Sequence, residues 1–276
     1  MYLKGVSTRK VTKITKKLCG LEISSTQVSA VTQELDKEFE AFRNRLLGVF
    51  PYVFVDATYV KVRHSGSVVS VATLIAYRVN EFGRREILGA STMLSEAEVH
   101  WRTFFESLQK RGLSGVRLIT SDNHAGLKSA LRSVFPAIPW QRCQFHLQQN
   151  AQNYAPKKTM REEIAEAIKS VFRCTTKASA ETAKGAVIEQ FVKTAPEFVS
   201  WFEENINEGL TCLNFPRSHR QRIRTTNGLE RVNREIKRRT RVATLFPNVK
   251  SALRLVTGVL SCLLYTSDAA DDPTLV

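Results

Sequence analysis

The hydrophobic pattern of the chain changes along its length, from helical to strand-like and back. Residues 7–18 read as a short helix, Cys19-Gly-Leu-Glu-Ile23 as a turn, and Ser24 or Ser25 as the cap of a longer helix to about Arg45. Then β-branched and aromatic residues take over. Tyr52–Arg63 reads as a strand, His64-Ser-Gly66 as a turn, Ser67–Asn80 as a second strand and Glu86–Ser95 as a third. Short turns between them predict an antiparallel meander. Glu96–Arg111 returns to helical spacing, with Val99, Trp101, Phe104, Phe105 and Leu108 on its apolar face and Ser95 as its cap. Val116–Asp122 is a buried strand ending on an acid, Gly126–Phe135 a helix and Ile138–Gln144 a short strand. Residues 150–219 carry helical runs at Arg161–Phe172, Ala178–Thr194 and Pro196–Asn207, with few β signals.

The order βββαβαβ is that of an α/β, ribonuclease H-like fold, a mixed five-stranded sheet with helices on both faces. The expected organisation is a helix-turn-helix-like DNA-binding segment over 1–48, a core over 49–149 and 220–262, and an all-helical insertion over 150–219. Residues 263–276 read as a non-native tail; within it Ser267–Val276, acidic at Asp268, Asp271 and Asp272 and without periodicity, should be mostly exposed.

Charge narrows the partners. Lys and Arg number 41 against 26 acids, a net +15, with a pI near 9.8. Such an excess attracts polyanions, phosphate backbones above all. No apolar run reaches the roughly 20 residues of a spanning helix, and the N-terminus carries no signal-peptide pattern. Five cysteines, without a Cys-x-x-Cys pair, do not make a disulfide framework. A cytoplasmic, nucleoid-associated protein is expected, with no membrane partner.

The charge is densest around one acid. From Arg217 to Arg241 there are ten Lys/Arg and two acids, Glu230 and Glu235. On a helix starting near Thr225 or Thr226, Leu229, Val232 and Ile236 share one side, while Glu230, Arg234, Lys237 and Arg241 form a separate stripe. This face suits a site that meets phosphates and holds a metal. It reads equally as a solvated basic helix in which Glu230 pairs with Arg234 at i+4. Candidate DNA contacts are Arg9, Lys10 and Lys13 in the first segment, and Arg224, Arg231, Arg234, Lys237, Arg238 and Arg241 around Glu230.

Two further acids stand out. Asp56 lies within the first strand, where an unpaired carboxylate is costly unless it meets a cation. Asp122 ends the fourth strand, where sheet sites commonly open. Two Asp on adjacent strands and a Glu from a packed helix are hard oxygen donors suited to two Mg²⁺ or Mn²⁺ ions. Such a pair activates a water or a 3′-hydroxyl for in-line phosphoryl displacement. Asp56, Asp122 and Glu230 are therefore expected to converge, within roughly 8 Å of one another, with mutual repulsion raising at least one carboxylate pKa when no metal is bound.

Four segments carry a family resemblance: Asp56-Ala-Thr-Tyr-Val-Lys-Val-Arg63, Ser121-Asp-Asn-His-Ala-Gly-Leu-Lys128, Trp140-Gln-Arg-Cys-Gln-Phe-His146, and Thr225–Arg241 followed by Phe246-Pro-Asn248. Together they resemble the mutator-type transposases of bacterial insertion sequences, over about Tyr2 to Leu260. The resemblance implies a DDE transposase with Asp56, Asp122 and Glu230 as catalytic, metal-holding acids. It also implies strand cleavage and strand transfer on double-stranded DNA, at terminal inverted repeats and target, by a homo-oligomer. Family members carry a further stretch before the position matching Met1, so an N-terminal truncation is expected. A catalytically silent DNA-binding remnant is the alternative.

Cys143 and His146 match the family's Cys/Asp-x-x-His pattern and are assigned a structural or active-site role, together with Trp140. Zinc at this pair, with Cys174, Cys212 or His219, lacks the second close pair such sites show and is not expected. Trp140 reads as core, with base stacking as its other role. His124 reads as a hydrogen-bonded loop residue, with a water- or phosphate-orienting role as the other.

Overall fold

The computed structural model describes residues 12–13, 16–17, 23–79, 85–243 and 245–270. The first helix of the expected helix-turn-helix falls largely outside them. Its second helix, α1 (Ser25–Asn44), starts at Ser24, whose hydroxyl accepts from the Gln27 amide while the Gln27 side chain accepts from the Ser24 amide. This reciprocal cap satisfies two amides that a helix start otherwise leaves open. α1 is fastened to the body by the paired Arg254–Asp36 contact, both bonds 2.6 Å, and by Arg43 to Thr257 Oγ1.

Among the described residues, the sheet has five strands in the order β3-β2-β1-β4-β5. β1 (Tyr52–His64), β2 (Ser67–Val79) and β3 (Arg85–Met93) form the antiparallel meander. The β1–β2 turn takes Ser65 at φ 47° and Gly66 at φ 80°, the pair of positive values a two-residue hairpin turn requires. β4 (Leu118–Ser121) and β5 (Trp140–Arg142) add in parallel. Both are shorter than the pattern suggested. Asp122 lies just beyond β4, and the backbone turns helical at Gln144 rather than continuing as strand.

Strand alternation sorts side chains onto two faces. On one, Val53, Val55, Leu74 and Leu88 pack against α2 (Glu98–Lys110) and α3 (Ala125–Val134) through Trp101, Phe104, Phe105, Leu108 and Leu127. α2 starts two residues later than read, the Ala97 carbonyl accepting from the His100 and Trp101 amides, while the Ser95 hydroxyl accepts from the Ala97 amide. On the other face, Phe54, Val60, Val62 and Ile75 meet Leu229 and Ile236 of α9 (Asn227–Ala243) and Leu255, Val256 and Val259 of α10 (Val249–Ala270).

Between β5 and α9 the chain is helical: α4 (Gln144–Ala151), α5 (Met160–Phe172), α6 (Lys177–Phe191), α7 (Pro196–Asn205) and the short α8 (Arg217–Ile223). α5 to α7 bury a core of their own, including Ile164, Ile168, Phe191, Phe198 and Phe202, which also takes Leu147 and Ala151 of α4. Arg142, almost fully buried, ties this unit to the sheet through Asn205 Oδ1 at 2.7 Å and Glu208 Oε2 at 3.1 Å. A buried guanidinium requires such partners. α10 remains helical through Ala270, and Leu263 packs on the core. The helix thus runs into the segment read as aperiodic; the side chains of 264–270 and all of 271–276 lie outside the described residues.

Candidate active site

β1 pairs with β4 only over Tyr52–Phe54, so the β4-side edge of β1 opens just before Asp56. A cleft of about 630 Å³ lies there, lined by Asp56, Ala57, Asp122, His146, Glu230, Asn233, Arg234, Lys237, Arg238 and Arg241. The three acids, far apart in sequence, face this one space. β1 supplies Asp56, the turn after β4 supplies Asp122, and the first turn of α9 supplies Glu230.

Asp56 is partly buried. Its Oδ1 accepts from the Ala57 amide at 2.8 Å and its Oδ2 from Asn233 Nδ2 at 2.7 Å. Burial raises its pKa to about 6; Asp122 and Glu96 add repulsion, and the Ala57 amide and His146 oppose the shift. Repulsion between the acids was the expected cause, but desolvation leads. Asp122 is more open, its Oδ1 accepting from the Asn123 amide at 2.7 Å. Glu230 Oε1 is buried and, among the described residues, has no hydrogen-bond partner.

His146 stands between the last two acids, its Nδ1 3.9 Å from Asp122 Oδ1 and its Nε2 3.7 Å from Glu230 Oε1. Hydrogen bonding with Cys143 raises its pKa to about 9, aided by the charges of Cys143, Asp122 and Asp56. The shift favours the cationic imidazole, which faces a carboxylate on either side. Glu230 makes this contact instead of the i+4 pair with Arg234 considered above.

The basic stripe of α9 divides. Arg234, Lys237 and Arg241 are exposed and line the cleft. Arg238 lines it too, but Glu235 holds its guanidinium at 2.8 and 2.6 Å and takes Arg239 as well. Arg224 and Arg231 are not among the lining residues; the Arg224 carbonyl accepts from the Gln144 amide. Lys13 is exposed at a distance in sequence from the site, and Arg9 and Lys10 lie outside the described residues. Asn233 and Glu96 were missed by the sequence reading. Asn233 had a signal, standing one helical turn beyond Glu230; Glu96 reaches the site only through the packing of its loop.

Over residues 1–266 the chain matches the family model described as transposase, Mutator family. The chain belongs to this family. It is 49% identical over 263 residues to the transposase for insertion sequence element IS406 of Burkholderia multivorans, covering 95% of this chain and 68% of that one. The transposase for ISRM5 of Rhizobium meliloti is 40% identical, over 93% of this chain and 64% of its own. The transposase for IS256 in transposon Tn4001 of Staphylococcus aureus is 38% identical, over 94% and 67%. The chain thus spans about two thirds of the length of these curated relatives.

The remaining candidates in this Mutator-family chain have local partners. Trp140 donates its indole N–H to Ser121 Oγ at 2.8 Å, and the Lys128 ammonium lies 4.6 Å over its ring, so it packs beside Asp122 as a core residue would. His124 precedes α3 with its Nδ1 3.8 Å from Glu96. The residues weighed for zinc are engaged separately: Cys212 with Gln144, Cys174 with backbone carbonyls, and His219 with the Tyr52 hydroxyl at 2.7 Å. Among the described residues, no three His, Cys, Asp or Glu side chains gather closely enough to hold one metal ion in their present conformations. The donor chemistry nevertheless suits a hard dication, with three carboxylates on one cleft and, among the described residues, no hydrogen bond to the buried Glu230 Oε1. Among the described residues, no helix is long and apolar enough to cross a membrane.

Proposed function

We propose that this chain cuts and joins DNA strands of its own insertion sequence, as a DDE transposase on a ribonuclease H-like core. One observation carries the reading: three acids from three separate elements face a cleft whose further wall is a stripe of exposed cations. Acids without cations would repel a nucleic acid, and cations without acids would only bind it. Asp56, Asp122 and Glu230 would hold Mg²⁺ or Mn²⁺, two ions on this reading, which when bound would activate the attacking oxygen and stabilise the leaving one. Arg234, Lys237 and Arg241 would hold phosphates, and Asn233 keeps the Asp56 carboxylate turned towards the cleft. Water attack on a phosphodiester at an element end frees a 3′-hydroxyl. That hydroxyl then attacks a target phosphodiester, forming one such bond as another breaks. The relatives named as insertion-sequence transposases support the same activity here, on inverted repeats and target DNA and in a homo-oligomer.

The test is cleavage of a duplex carrying the element end, with and without Mg²⁺. Asp56→Asn and Glu230→Gln should each abolish cutting and leave duplex affinity within about threefold, since neither residue contacts phosphate by charge attraction. Full activity in either variant would remove that residue from the catalytic set. Binding by the parent chain without cutting would point to a silent remnant.

A further inference from the structure

The sequence pattern Cys143-x-x-His146 is not used by the chemistry above, yet Cys143 is fully buried at the meeting point of three elements. Its amide donates to the Ser121 carbonyl at 2.7 Å, next to Asp122. Its carbonyl accepts from Leu147 at 2.9 Å, closing the first turn of α4, which presents His146. Its Sγ accepts twice from Thr226, from the backbone N–H and from the hydroxyl, each at 3.3 Å. Thr226 is itself fully buried, and its carbonyl accepts from the Leu229 and Glu230 amides at 2.8 and 3.2 Å. Two bonds on either side repeat the join: Gln144 N–H to the Arg224 carbonyl at 3.0 Å, and Thr120 Oγ1 to the Ile223 carbonyl at 2.8 Å.

We infer that Cys143 is a positioning residue that sets Glu230 against Asp122 and His146. The inference rests on the cleavage reading for the use of those groups, but not for the join itself. The need for it follows from chain layout. Cys143 and Thr226 are 83 residues apart, and the segment between them is largely the helical unit with its own core. A hinge movement of that unit would carry the start of α9 with it unless the start were held from the sheet side. The sulfur is the part of that hold nearest Glu230: it accepts from the Thr226 amide and hydroxyl, which among the described residues would otherwise be buried donors without partners.

Hydrogen exchange on the full chain tests the join without the chemistry. Cys143→Val removes the acceptor while keeping the buried position filled with apolar atoms. Amides of Thr226–Asn233 should then exchange at least about tenfold faster, with those of β1 and β2 unchanged, as expected of a local opening. Thr226→Val tests the same join from the other side and should give a smaller effect, since the backbone N–H remains. Unchanged exchange in both variants overturns the inference. In the cleavage assay, Cys143→Val should lower the rate about 10- to 100-fold with duplex affinity within twofold, the range for residues that orient active groups from behind. Cys143→Ser, which keeps an acceptor, should recover most of the loss. Equal losses in Ser and Val would reduce Cys143 to packing and overturn the assignment. A parent chain that does not cut would refute the cleavage reading, while the exchange result would still decide the join.

Discussion

Asp56 is costly to the fold that holds it. Its carboxyl pKa rises to about 6 from an ordinary 3.8, with burial as the first cause, so the folded chain prefers the protonated form. The resulting stabilisation is fully present below about pH 4 and is lost as pH rises through about 6. At pH 7–8 and without divalent metal, the ionised group therefore destabilises, by about 1–2 kcal/mol once partial exposure is discounted. Asp56→Asn removes the charge and keeps an oxygen for the Asn233 amide. Thermal melts in chelator at pH 8 should show Tm raised by a few degrees, and the advantage should vanish near pH 4. A lower Tm at pH 8 would mean that Asp56 is paired more favourably than its surroundings indicate. Asp56 stood out in the sequence because an unpaired carboxylate amid Val, Phe and Tyr on a strand is costly, although a structural acid was an equal reading of it alone.

The meander, α2, α3, α5 to α7 and α9 follow the sequence pattern, whereas α8 and α10 were not read as helices, although α10 buries a full apolar stripe. α4 was missed because its eight residues alternate glutamines with scattered apolar positions and offer no clear stripe. Yet it supplies His146, so an element with little helical period carries part of the site. The loop between β3 and α2 was equally silent. It reaches the site because α3 packs against it at Gly126, where an added Cβ would lie 2.3 Å from the Glu96 carbonyl oxygen and 2.9 Å from the Glu98 nitrogen. Backbone cannot yield as a side-chain tip can. Gly126→Ala should therefore push the loop off α3 and cost about 1–3 kcal/mol in chemical denaturation, as overpacking does. It should also shift Glu96 away from His124. A neutral substitution would show that the loop moves freely.

At the scale of the whole molecule, the net charge of +15 and the arrangement of the site make separate claims. Net charge was legible from composition, but which cations share a surface depends on topology. Asn233 meets Asp56 across 177 residues of sequence, and only the packing of α9 along β1 turns Arg234, Lys237 and Arg241 towards the acids. If those three contact phosphates, duplex affinity should fall steeply with salt, because each phosphate neutralised releases condensed counterions. Removing one contact then lowers the slope of log affinity against log salt by about one, and weakens binding on every sequence alike. Lys237→Gln and Arg234→Gln should each do this. Arg238→Gln should do less, because Glu235 already holds that guanidinium at 2.8 and 2.6 Å and the charge it offers DNA is largely offset. Titrations of each variant against two unrelated duplexes, over several salt concentrations, separate the cases. If all three variants lose the same slope, the Glu235 pairing does not persist when DNA binds. If none loses any, the cleft wall is not where the backbone lies, and the charge acts only as a diffuse attraction.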